Sequence, residues 1–240
     1  MDTMRSQIVL VTGGNKGLGL ETVRRLAALG ATVVMGSRDP ARGAAAAQGL
    51  ANGGDVVVVP LDVTSDSSVT AAADEVERRY GRLDVLVNNA GVDRHGIPPA
   101  EVTAADMEEL FATNVFGQVR VTRAFVPLLR RSPAPRIVMV SSGLGSFAVT
   151  HDPARLESTV PALAYCASKA ALNMVTTQYA KALPGFRVNA ADPGYTATDI
   201  NGHRGPQTVS EGTDAIVALA MIAADGPTGA FVDRHGAVGW

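Results

Sequence analysis

The stretch "YCASKAALNMV", residues 165–175, places a phenol and an ammonium four residues apart in an otherwise apolar sequence. Residues i and i+4 share one face of a helix, so Tyr165 and Lys169 are expected to point the same way. A phenol has a pKa near 10, and a nearby cation lowers that value because it favours the phenolate. The pair is therefore suited to exchanging a proton with an oxygen whose charge changes during a reaction.

A glycine-rich turn follows the first apolar run of the chain and leads into a predicted helix. In "TGGNKGLGL" the spacing of Gly13, Gly17 and Gly19 permits a tight turn and a close approach of the backbone to a pyrophosphate. The free N–H groups and the dipole at the start of the helix would attract that group. The spacing differs from the standard dinucleotide fingerprint, and a glycine-rich turn is often only a turn, but we favour the dinucleotide interpretation.

The end of the second apolar run, "VVMGSRD", bears on which dinucleotide would bind. An acidic residue there accepts a hydrogen bond from the ribose 2′-hydroxyl of NAD, whereas an arginine accommodates the 2′-phosphate of NADP. Ser37 occupies the strand end, Arg38 follows it, and Lys16 in the glycine turn is expected to approach the same phosphate. Asp39 argues for NAD, but it precedes Pro40, where a helix cap is the better interpretation. The sequence favours NADP(H), the alternative being a solvated arginine and lysine.

Other polar residues without an evident packing role fall where later apolar runs end. Asp62 in "LDVT" is placed either to accept from an adenine amino group or to stabilise a turn. Residues 88–91, "NNAG", bring two amides that need hydrogen-bond partners, which a ligand pocket would provide. Asn114 lies inside a long apolar helix, and it is either a hydrogen-bonded amide of the core or part of a functional site. Ser142 follows the fifth run in "VMVSSG", with Ser141 as its rival.

These residues need a fold that brings the ends of several strands together. Short runs rich in Val, Ile and Leu alternate with longer Ala-, Arg- and Glu-bearing segments, which is typical of buried parallel strands joined by helices. We predict one α/β domain over residues 1–240, a Rossmann-type doubly wound fold with a seven-stranded, mainly parallel sheet and helices on both faces. Ligands bind such sheets beyond the carboxyl ends of the strands. The predicted strands are 7–11, 32–36, 56–60, 85–87, 136–140, 187–190 and 230–232, and the predicted helices are 18–29, 41–50, 67–80, 103–131, 161–183 and 210–223.

The composition argues against several classes of function. The 240 residues carry 21 basic and 23 acidic side chains, scattered along the chain, which fits neither a nucleic-acid surface nor a membrane surface. The one cysteine, Cys166, agrees with a reducing compartment. The first apolar run stops at Gly13, too short for a signal peptide or a membrane span, so a soluble cytoplasmic protein is expected. No metal site is expected, because the histidines lack ligand spacing; they are His95, His151, His203 and His235.

Together these residues resemble the motifs of the short-chain dehydrogenase/reductase family, and the likeness covers nearly the whole chain. Within the family the sequence is most similar to NADPH-dependent carbonyl reductases, through "TGGNKGLG", "SRD" and "PGYTATDI". The resemblance implies an oxidoreductase with a bound NADP(H). The matching stretches, in the family's order, are "TGGNKGLG" (12–19), "NNAG" (88–91), Asn114, Ser142, "YCASK" (165–169) and "DPGYTAT" (192–198).

The resemblance also implies residue roles. Tyr165 would give its proton to the oxygen of a ketone or aldehyde, and Lys169 would lower the pKa of Tyr165 and hold the nicotinamide ribose. Ser142 would orient the substrate oxygen, and Asn114 would hold a water that links Lys169 to solvent. The implied cofactor contacts, besides Tyr165 and Lys169, are Gly13, Asn15, Lys16, Gly17, Leu18, Gly19, Ser37, Arg38, Asp62, Val63, Asn89, Ala90, Gly91, Pro193, Gly194, Thr196 and Thr198.

Two segments depart from a compact member of the family. Between Ser142 and Tyr165 lie 22 residues, and the part "FAVTHDPARLESTV" is expected to pass over the substrate pocket or to pack on a neighbouring subunit. Carbonyl reductases with a longer insertion there are monomers, so we expect a monomer or homodimer rather than a tetramer. Residues 196–211 fit a lid over substrate and nicotinamide. Apolar side chains nearby, Leu144, Phe147 and Tyr195, favour a small hydrophobic carbonyl or alcohol substrate.

The function that these observations favour is reversible reduction of a ketone or aldehyde to an alcohol by NADPH. A ketoreductase acting on a polyketide or acyl intermediate is the alternative within enzymes, although no basic docking patch for a carrier is evident. A dinucleotide-sensing regulator without catalysis is the alternative from another class. Such regulators usually lack the tyrosine or the lysine, and this sequence has both Tyr165 and Lys169.

Overall fold

Eight strands of one sheet form the centre of the computed structural model, which describes residues 4–50, 54–93 and 96–240. The strand order is β3-β2-β1-β4-β5-β6-β7-β8, and all neighbours are parallel except the last pair. This confirms the predicted doubly wound α/β fold and corrects the predicted strand number from seven to eight. The added strand has two residues, too few to leave a pattern in the sequence. The strands are Ile8–Thr12, Thr32–Ser37, Asp55–Pro60, Val85–Asn88, Arg136–Val140, Arg187–Ala191, Phe231–Asp233 and Gly236–Ala237, β1 to β8 in that order.

Helices cover both faces of this sheet, and alternate residues of each strand reach opposite cores. In β1, Ile8 and Leu10 pack in one core and Val9 and Val11 in the other. The first core is closed by α3, α5 and α7, and the second by α1 and α9. The helices in the described ranges are α1 Gly17–Ala28, α2 Pro40–Gln48, α3 Asp66–Tyr80, α4 Ala104–Phe111, α5 Gln118–Leu129, α6 Phe147–Thr150, α7 Leu163–Ala182, α8 Val209–Gly212 and α9 Asp214–Ala220.

The predicted helix 103–131 is interrupted by a π-helical turn, Ala112–Gly117, between α4 and α5. Such wide turns occur mostly as single insertions, often at functional sites. This one contains Asn114, and at Gly117 the backbone lies so close to Val63 that a Cβ would be 2.8 Å from Val63 Cγ2. The apolar pattern continues through the turn, so nothing in the sequence marks the wider turn.

The predicted helix 210–223 is likewise two short helices, α8 and α9. They meet at Thr213, whose hydroxyl donates to the carbonyl of Ser210 at 2.8 Å and so competes with a continuous helix.

In the described part of the chain, no helix combines the length and the apolar character that a membrane span requires.

The ends of β1 and β4 are joined directly. The Thr12 hydroxyl accepts the backbone N–H groups of Asn89 and Ala90, each at 2.9 Å. Strand order reverses between these two strands, and ligands bind α/β sheets at such a reversal. The bonds of Thr12 therefore hold together the two loops that border the expected ligand crevice.

Candidate active site

A cavity of about 390 Å³ runs along the carboxyl edge of the sheet, across the reversal between β1 and β4. Loops that leave all six strands from β1 to β6 contribute to its walls. Of the residues implied as cofactor contacts, those that line it are Gly13, Asn15, Lys16, Gly17, Leu18, Gly19, Arg38, Asp62, Val63, Asn89, Ala90, Gly91, Tyr165, Lys169, Pro193 and Thr198. Among the lining residues that the sequence analysis did not single out are Asp93, Asp199 and Ile200.

The glycine turn has the geometry that a pyrophosphate needs. Gly13 and Gly17 have φ angles of +63° and +52°, which favour glycine. A Cβ on Gly19 would lie 2.3 Å from the carbonyl oxygen of Gly13, so only glycine brings the helix this close to the turn. Within the described chain no side chain caps the start of α1, and its first turn has no acidic residue. The N–H groups at that helix start therefore remain suited to a phosphate.

The two amides of "NNAG" differ in position: Asn89 lines the cavity and Asn88 does not. Asn89 Nδ2 donates to the carbonyls of Thr12, at 2.8 Å, and Gly13, at 3.3 Å, and so fixes the glycine turn. Asn88 is buried on the core side, where Nδ2 donates to the Thr122 hydroxyl at 2.9 Å. The prediction that this pair lines the pocket holds for Asn89 and is wrong for Asn88, because alternate residues at a strand end face opposite sides.

At the end of β2 the side chains divide between turn and cavity. The Asp39 carboxylate accepts the N–H groups of Ala41, at 2.9 Å, and Arg42, at 3.2 Å, which confirms the predicted helix cap. Ser37 does not line the cavity, because its buried hydroxyl donates to the carbonyl of Asp39 at 2.7 Å. Arg38 is exposed and lines the cavity. Of the groups placed at this strand end, the guanidinium is thus the one directed to a ligand.

Asp62 shows the turn role that the sequence left open. Its carboxylate accepts the N–H of Thr64 at 2.9 Å and the Thr64 hydroxyl at 2.7 Å. Partial burial alone would raise the pKa of Asp62, but these bonds and the charge of Arg38 hold that pKa below its usual range. Asp62 also lines the cavity, so the turn directs a carboxylate toward a ligand as well.

Lys16 is paired within the protein. Its Nζ lies 2.9 Å from Asp199 Oδ2, and both side chains are more than half exposed. Asp199 Oδ1 also lies 3.0 Å from His203 Nε2. Lys16 therefore joins the glycine turn to the segment predicted as a lid.

Tyr165 and Lys169 lie on one face of α7, as the i, i+4 spacing predicts. Lys169 Nζ is 5.6 Å from the centre of the Tyr165 ring and donates to the carbonyl of Val140, at the end of β5, at 2.9 Å. Burial lowers the pKa of Lys169 to about 8, although the charges of Asp192 and Asp93 act in the other direction. Burial, with the same two carboxylates, raises the pKa of Tyr165 above its usual value, although a hydrogen bond from Ser142 opposes the rise. The expected lowering of the Tyr165 pKa is therefore absent from this structure, because burial and the two carboxylates raise that pKa.

The two serines that follow β5 have different surroundings. Ser141 is buried, and its hydroxyl donates to the side chain of Asn173. Ser142 Oγ accepts the N–H of Leu144 at 3.2 Å, and its hydroxyl lies close enough to Tyr165 to lower the pKa of the phenol. Ser141 lines the cavity, but its hydroxyl is engaged by Asn173, so Ser142 is the serine that acts on Tyr165.

The Asn114 side chain is fully buried and joins three elements. Its Oδ1 accepts the N–H of Val92, and its Nδ2 donates to the carbonyl of Val92 and the hydroxyl of Ser168. These bonds connect the π-helical turn to the loop after β4 and to α7. Asn114 does not line the cavity. Its hydrogen bonds hold the loop after β4 and α7 together behind the cavity wall.

Residues 196–211 form an ordered segment. Thr196 pairs with Gln207, and Asn201 Nδ2 donates to the carbonyl of Thr196 at 2.7 Å. Thr196 and Gly194 shape this segment and do not line the cavity, because the Thr196 hydroxyl donates to the carbonyl of Pro193 and Gly194 packs on Gln207. Its cavity wall is formed by Thr198, Asp199 and Ile200.

The longer segment between Ser142 and Tyr165 packs on the last residues of the chain. The Ser146 hydroxyl donates to the carbonyl of Gly239 at 2.6 Å, and the N–H of Ala148 donates to the carbonyl of Trp240 at 3.2 Å. Trp240 in turn stacks on Phe231 of β7, with ring centres 5.2 Å apart. Residues 143–164 contribute nothing to the described lining of the cavity, so the structure does not place them across it.

Other groups considered in the sequence lie elsewhere. His95 is outside the described residues, His151 Nδ1 contacts the carbonyl of Phe147 at 2.8 Å, and His203 pairs with Asp199. Across residues 4–50, 54–93 and 96–240, no three His, Cys, Asp or Glu residues are arranged to hold a metal ion.

A second cavity, of about 320 Å³, lies at the opposite edge of the sheet beside the starts of β5 and β6, far from Tyr165.

Comparisons with known proteins agree with this arrangement. The model of the short chain dehydrogenase family matches residues 7–208. Two similar proteins are (-)-isopiperitenone reductase of Mentha piperita, 36% identical over 95% of this chain and 96% of the relative, and salutaridine reductase of Papaver bracteatum, 32% identical over 95% and 94%. A solved structure of NADPH-bound carbonyl reductase from chicken fatty liver superposes with a TM-score of 0.88, at 32% identity, over 98% of this chain and all of that chain.

Proposed function

The chain belongs to the short-chain dehydrogenase/reductase family, and on that premise we propose that it reduces a ketone or an aldehyde to an alcohol with NADPH, reversibly. The observation that carries the proposal is the position of Tyr165 on the cavity wall, with Lys169 Nζ 5.6 Å from its ring centre and Ser142 close enough to lower its pKa. A site for hydride transfer to a carbonyl needs a proton donor aimed at the oxygen that gains charge. These three side chains supply it.

The residues along the cavity suit NADP(H). The glycine turn and the uncapped start of α1 would bind the pyrophosphate, Asp62 and Val63 the adenine, and Arg38 the 2′-phosphate. Lys169 and Pro193 would lie at the nicotinamide end. When bound, NADPH supplies the hydride for the carbonyl carbon. Two relatives are reductases by name and one neighbour is an NADPH-bound carbonyl reductase, which supports the same cofactor here.

The protein's own groups would handle the proton. Because the pKa of Tyr165 is raised, the phenol keeps its proton at neutral pH, which is the form that reduction needs. The phenol would transfer that proton to the substrate oxygen while the Ser142 hydroxyl donates a hydrogen bond to the same oxygen. The phenolate that remains would be stabilised by the Lys169 ammonium, which the carbonyl of Val140 holds in place. Asn114 would act through structure, by fixing the loop after β4 against α7.

The mouth of the cavity favours an apolar substrate. Two exposed apolar side chains line the cavity, Val92 after β4 and Ile200 in the lid segment. Leu163, two residues before Tyr165, and Tyr195, two residues after Pro193, are exposed as well. Partly exposed apolar groups around a concave site gain free energy when an apolar ligand covers them. We therefore expect small hydrophobic ketones, aldehydes and the matching alcohols to be turned over.

The test is oxidation of NADPH, followed at 340 nm, with a panel of hydrophobic ketones and aldehydes. Tyr165→Phe removes the proton donor with little change in shape, so kcat should fall by about 10²-fold or more while NADPH still binds. Tyr80→Phe changes a half-buried tyrosine of α3, far from the site, and should keep wild-type activity. Full activity in Tyr165→Phe would overturn the mechanism. NADPH binding with no turnover of any carbonyl compound would favour the regulator instead.

A further inference from the structure

Asp192, at the end of β6, is a buried carboxylate that the proposed chemistry leaves without a role. It is 4% exposed. Its Oδ1 accepts the N–H of Gly194 at 2.9 Å, and the backbone N–H of Gly143 lies close enough to act on the pKa of the same carboxylate. Gly143 directly follows Ser142, and Gly194 follows Pro193 of the cavity wall. One side chain therefore connects the serine loop, residues 141–146, to the loop that leaves β6.

The fit around this carboxylate is close. A Cβ on Gly143 would lie 2.9 Å from Asp192 Oδ2, so the connection depends on the glycine after Ser142. The backbone of Asp192 is fixed as well, because its N–H donates to the carbonyl of Val232 in β7 at 2.8 Å. The N–H of Ser141 donates to the carbonyl of Ala191 at the same distance. With the backbone held in the sheet, Oδ1 of the carboxylate bonds to Gly194 and Oδ2 lies against Gly143 of the serine loop.

The charge of Asp192 also reaches the two central side chains. Its carboxylate acts to raise the pKa of Lys169 and the pKa of Tyr165. Burial in turn raises the pKa of Asp192 itself. The other ionisable groups that act on these three residues come from the loop after β4, from α7, from the segment after Ser142 and from β7: Asp93, Cys166, Glu157 and Asp233. Arg155, which pairs with Glu157 at 3.4 Å, faces Asp192 from the same segment.

Resting on the proposed function, we propose that Asp192 is a positioning residue: its carboxylate clamps the serine loop onto the loop after β6, so that Ser142 stays near Tyr165. The effect of its charge on the pKa of Lys169 gives an independent readout of this position. The segment after Ser142 then also has a place in the site. Glu157 Oε1 lies 3.3 Å from the Cβ position of Gly143, so this segment packs over the clamp rather than over the cavity.

The kinetic test compares Asp192→Asn with Asp233→Asn. Asparagine has the size of aspartate but no charge and one acceptor oxygen, so it cannot match the carboxylate at both Gly194 and Gly143. We expect kcat to fall about ten-fold or more, with the KM for NADPH within about three-fold of wild type, because the loss falls on the reacting groups. Asp233 is a matched control, since it also accepts two backbone N–H groups, of His235 and Gly236, but only within its own turn. It should keep kcat within about two-fold of wild type.

A second measurement does not need a substrate. The chain has three lysines, Lys16, Lys169 and Lys181, so ¹³C-labelled lysine side chains can be titrated one by one by NMR and assigned with Lys16→Arg and Lys181→Arg. The Lys169 signal should titrate near pH 8 in the wild type and at lower pH in Asp192→Asn, because the charge that favours the ammonium is gone. Asp233→Asn should shift it less.

The outcomes separate the clamp from the proposed function. If Asp192→Asn keeps both wild-type kcat and the wild-type Lys169 titration, or loses activity only in proportion to its loss of folded protein, the clamp is wrong. If the wild type reduces no carbonyl compound, the proposed function fails, and the lysine titration still decides whether Asp192 acts on Lys169. Should Asp192→Asn not fold, Gly143→Ala perturbs the same contact from the other side and should give the same loss of kcat.

Discussion

A methyl group added at Gly145 would test how closely the serine loop must approach the helix that carries Lys169. A Cβ there would lie 2.5 Å from the carbonyl carbon of Lys169 and 2.7 Å from the backbone nitrogen of Ala170. Non-bonded heavy atoms pack at about 3.5 to 4.0 Å, so the loop and the helix would have to separate by about 1 Å. Overpacking of this kind costs about 1–3 kcal/mol of unfolding free energy. For a chain of this length, that lowers Tm by about 2–12 °C.

Activity should fall further than stability, because the displaced atoms belong to the backbone of Lys169. A misplacement of about 1 Å costs on the order of 10² in rate, so kcat of Gly145→Ala should fall by about that factor. Thermal unfolding followed by circular dichroism gives the first quantity, and NADPH oxidation well below Tm gives the second. Gly49→Ala is the control, since Gly49 is exposed at the end of α2 with a φ of −65° that alanine adopts without strain. Wild-type Tm and kcat in Gly145→Ala would show that the loop and the helix can separate without cost. The close approach of the serine loop to Lys169 would then not be required.

Two further variants test the cofactor end of the site. Arg38→Asp should reverse the preference from NADPH to NADH, measured as the ratio of the two kcat/KM values. Arg42→Asp, four residues later and outside the cavity, is the control and should leave the ratio unchanged. An unchanged ratio in Arg38→Asp would contradict the proposed NADP preference. Asp199→Asn should tighten NADPH binding about three- to ten-fold in a fluorescence titration at low salt, because it removes a negative charge from the cavity wall and frees Lys16. This gain in NADPH affinity should shrink at high salt, and the control Asp152→Asn should not show it. Weaker NADPH binding by Asp199→Asn would refute the prediction.

The sequence was sufficient for the fold and for the row of loops along the cavity, because both follow from patterns that the chain carries locally. Apolar runs predict buried strands, and glycines with small polar residues mark the strand ends. The i, i+4 spacing predicts that Tyr165 and Lys169 share a helix face, and the structure confirms it. The cap at Asp39 is confirmed for a similar reason, since its partners are two and three residues away.

What the sequence could not predict depends on partners that are distant along the chain. Asn89 holds the glycine turn 76 residues before it, and Lys16 pairs with Asp199, 183 residues later. Asn114 looked like a single polar residue in a helix, whereas its bonds join the loop after β4 to α7. The direction of the Tyr165 pKa shift could not be predicted from the sequence either, because it depends on how deeply the folded chain buries the phenol. The sequence marks Asp192 only by its place, a charged residue directly after the two alanines that end β6.

The bonds from Ser146 and Ala148 to Gly239 and Trp240 bear on the order in which the protein is completed during synthesis. The strands β1 to β4 lie within the first 88 residues and are neighbours in the sheet, so this half of the cavity wall can assemble while the rest of the chain is still being made. The serine loop is different, because the partner of the Ser146 hydroxyl lies 93 residues later. A nascent chain would therefore form the crevice between β1 and β4 well before the loop that carries Ser142 makes its final contacts.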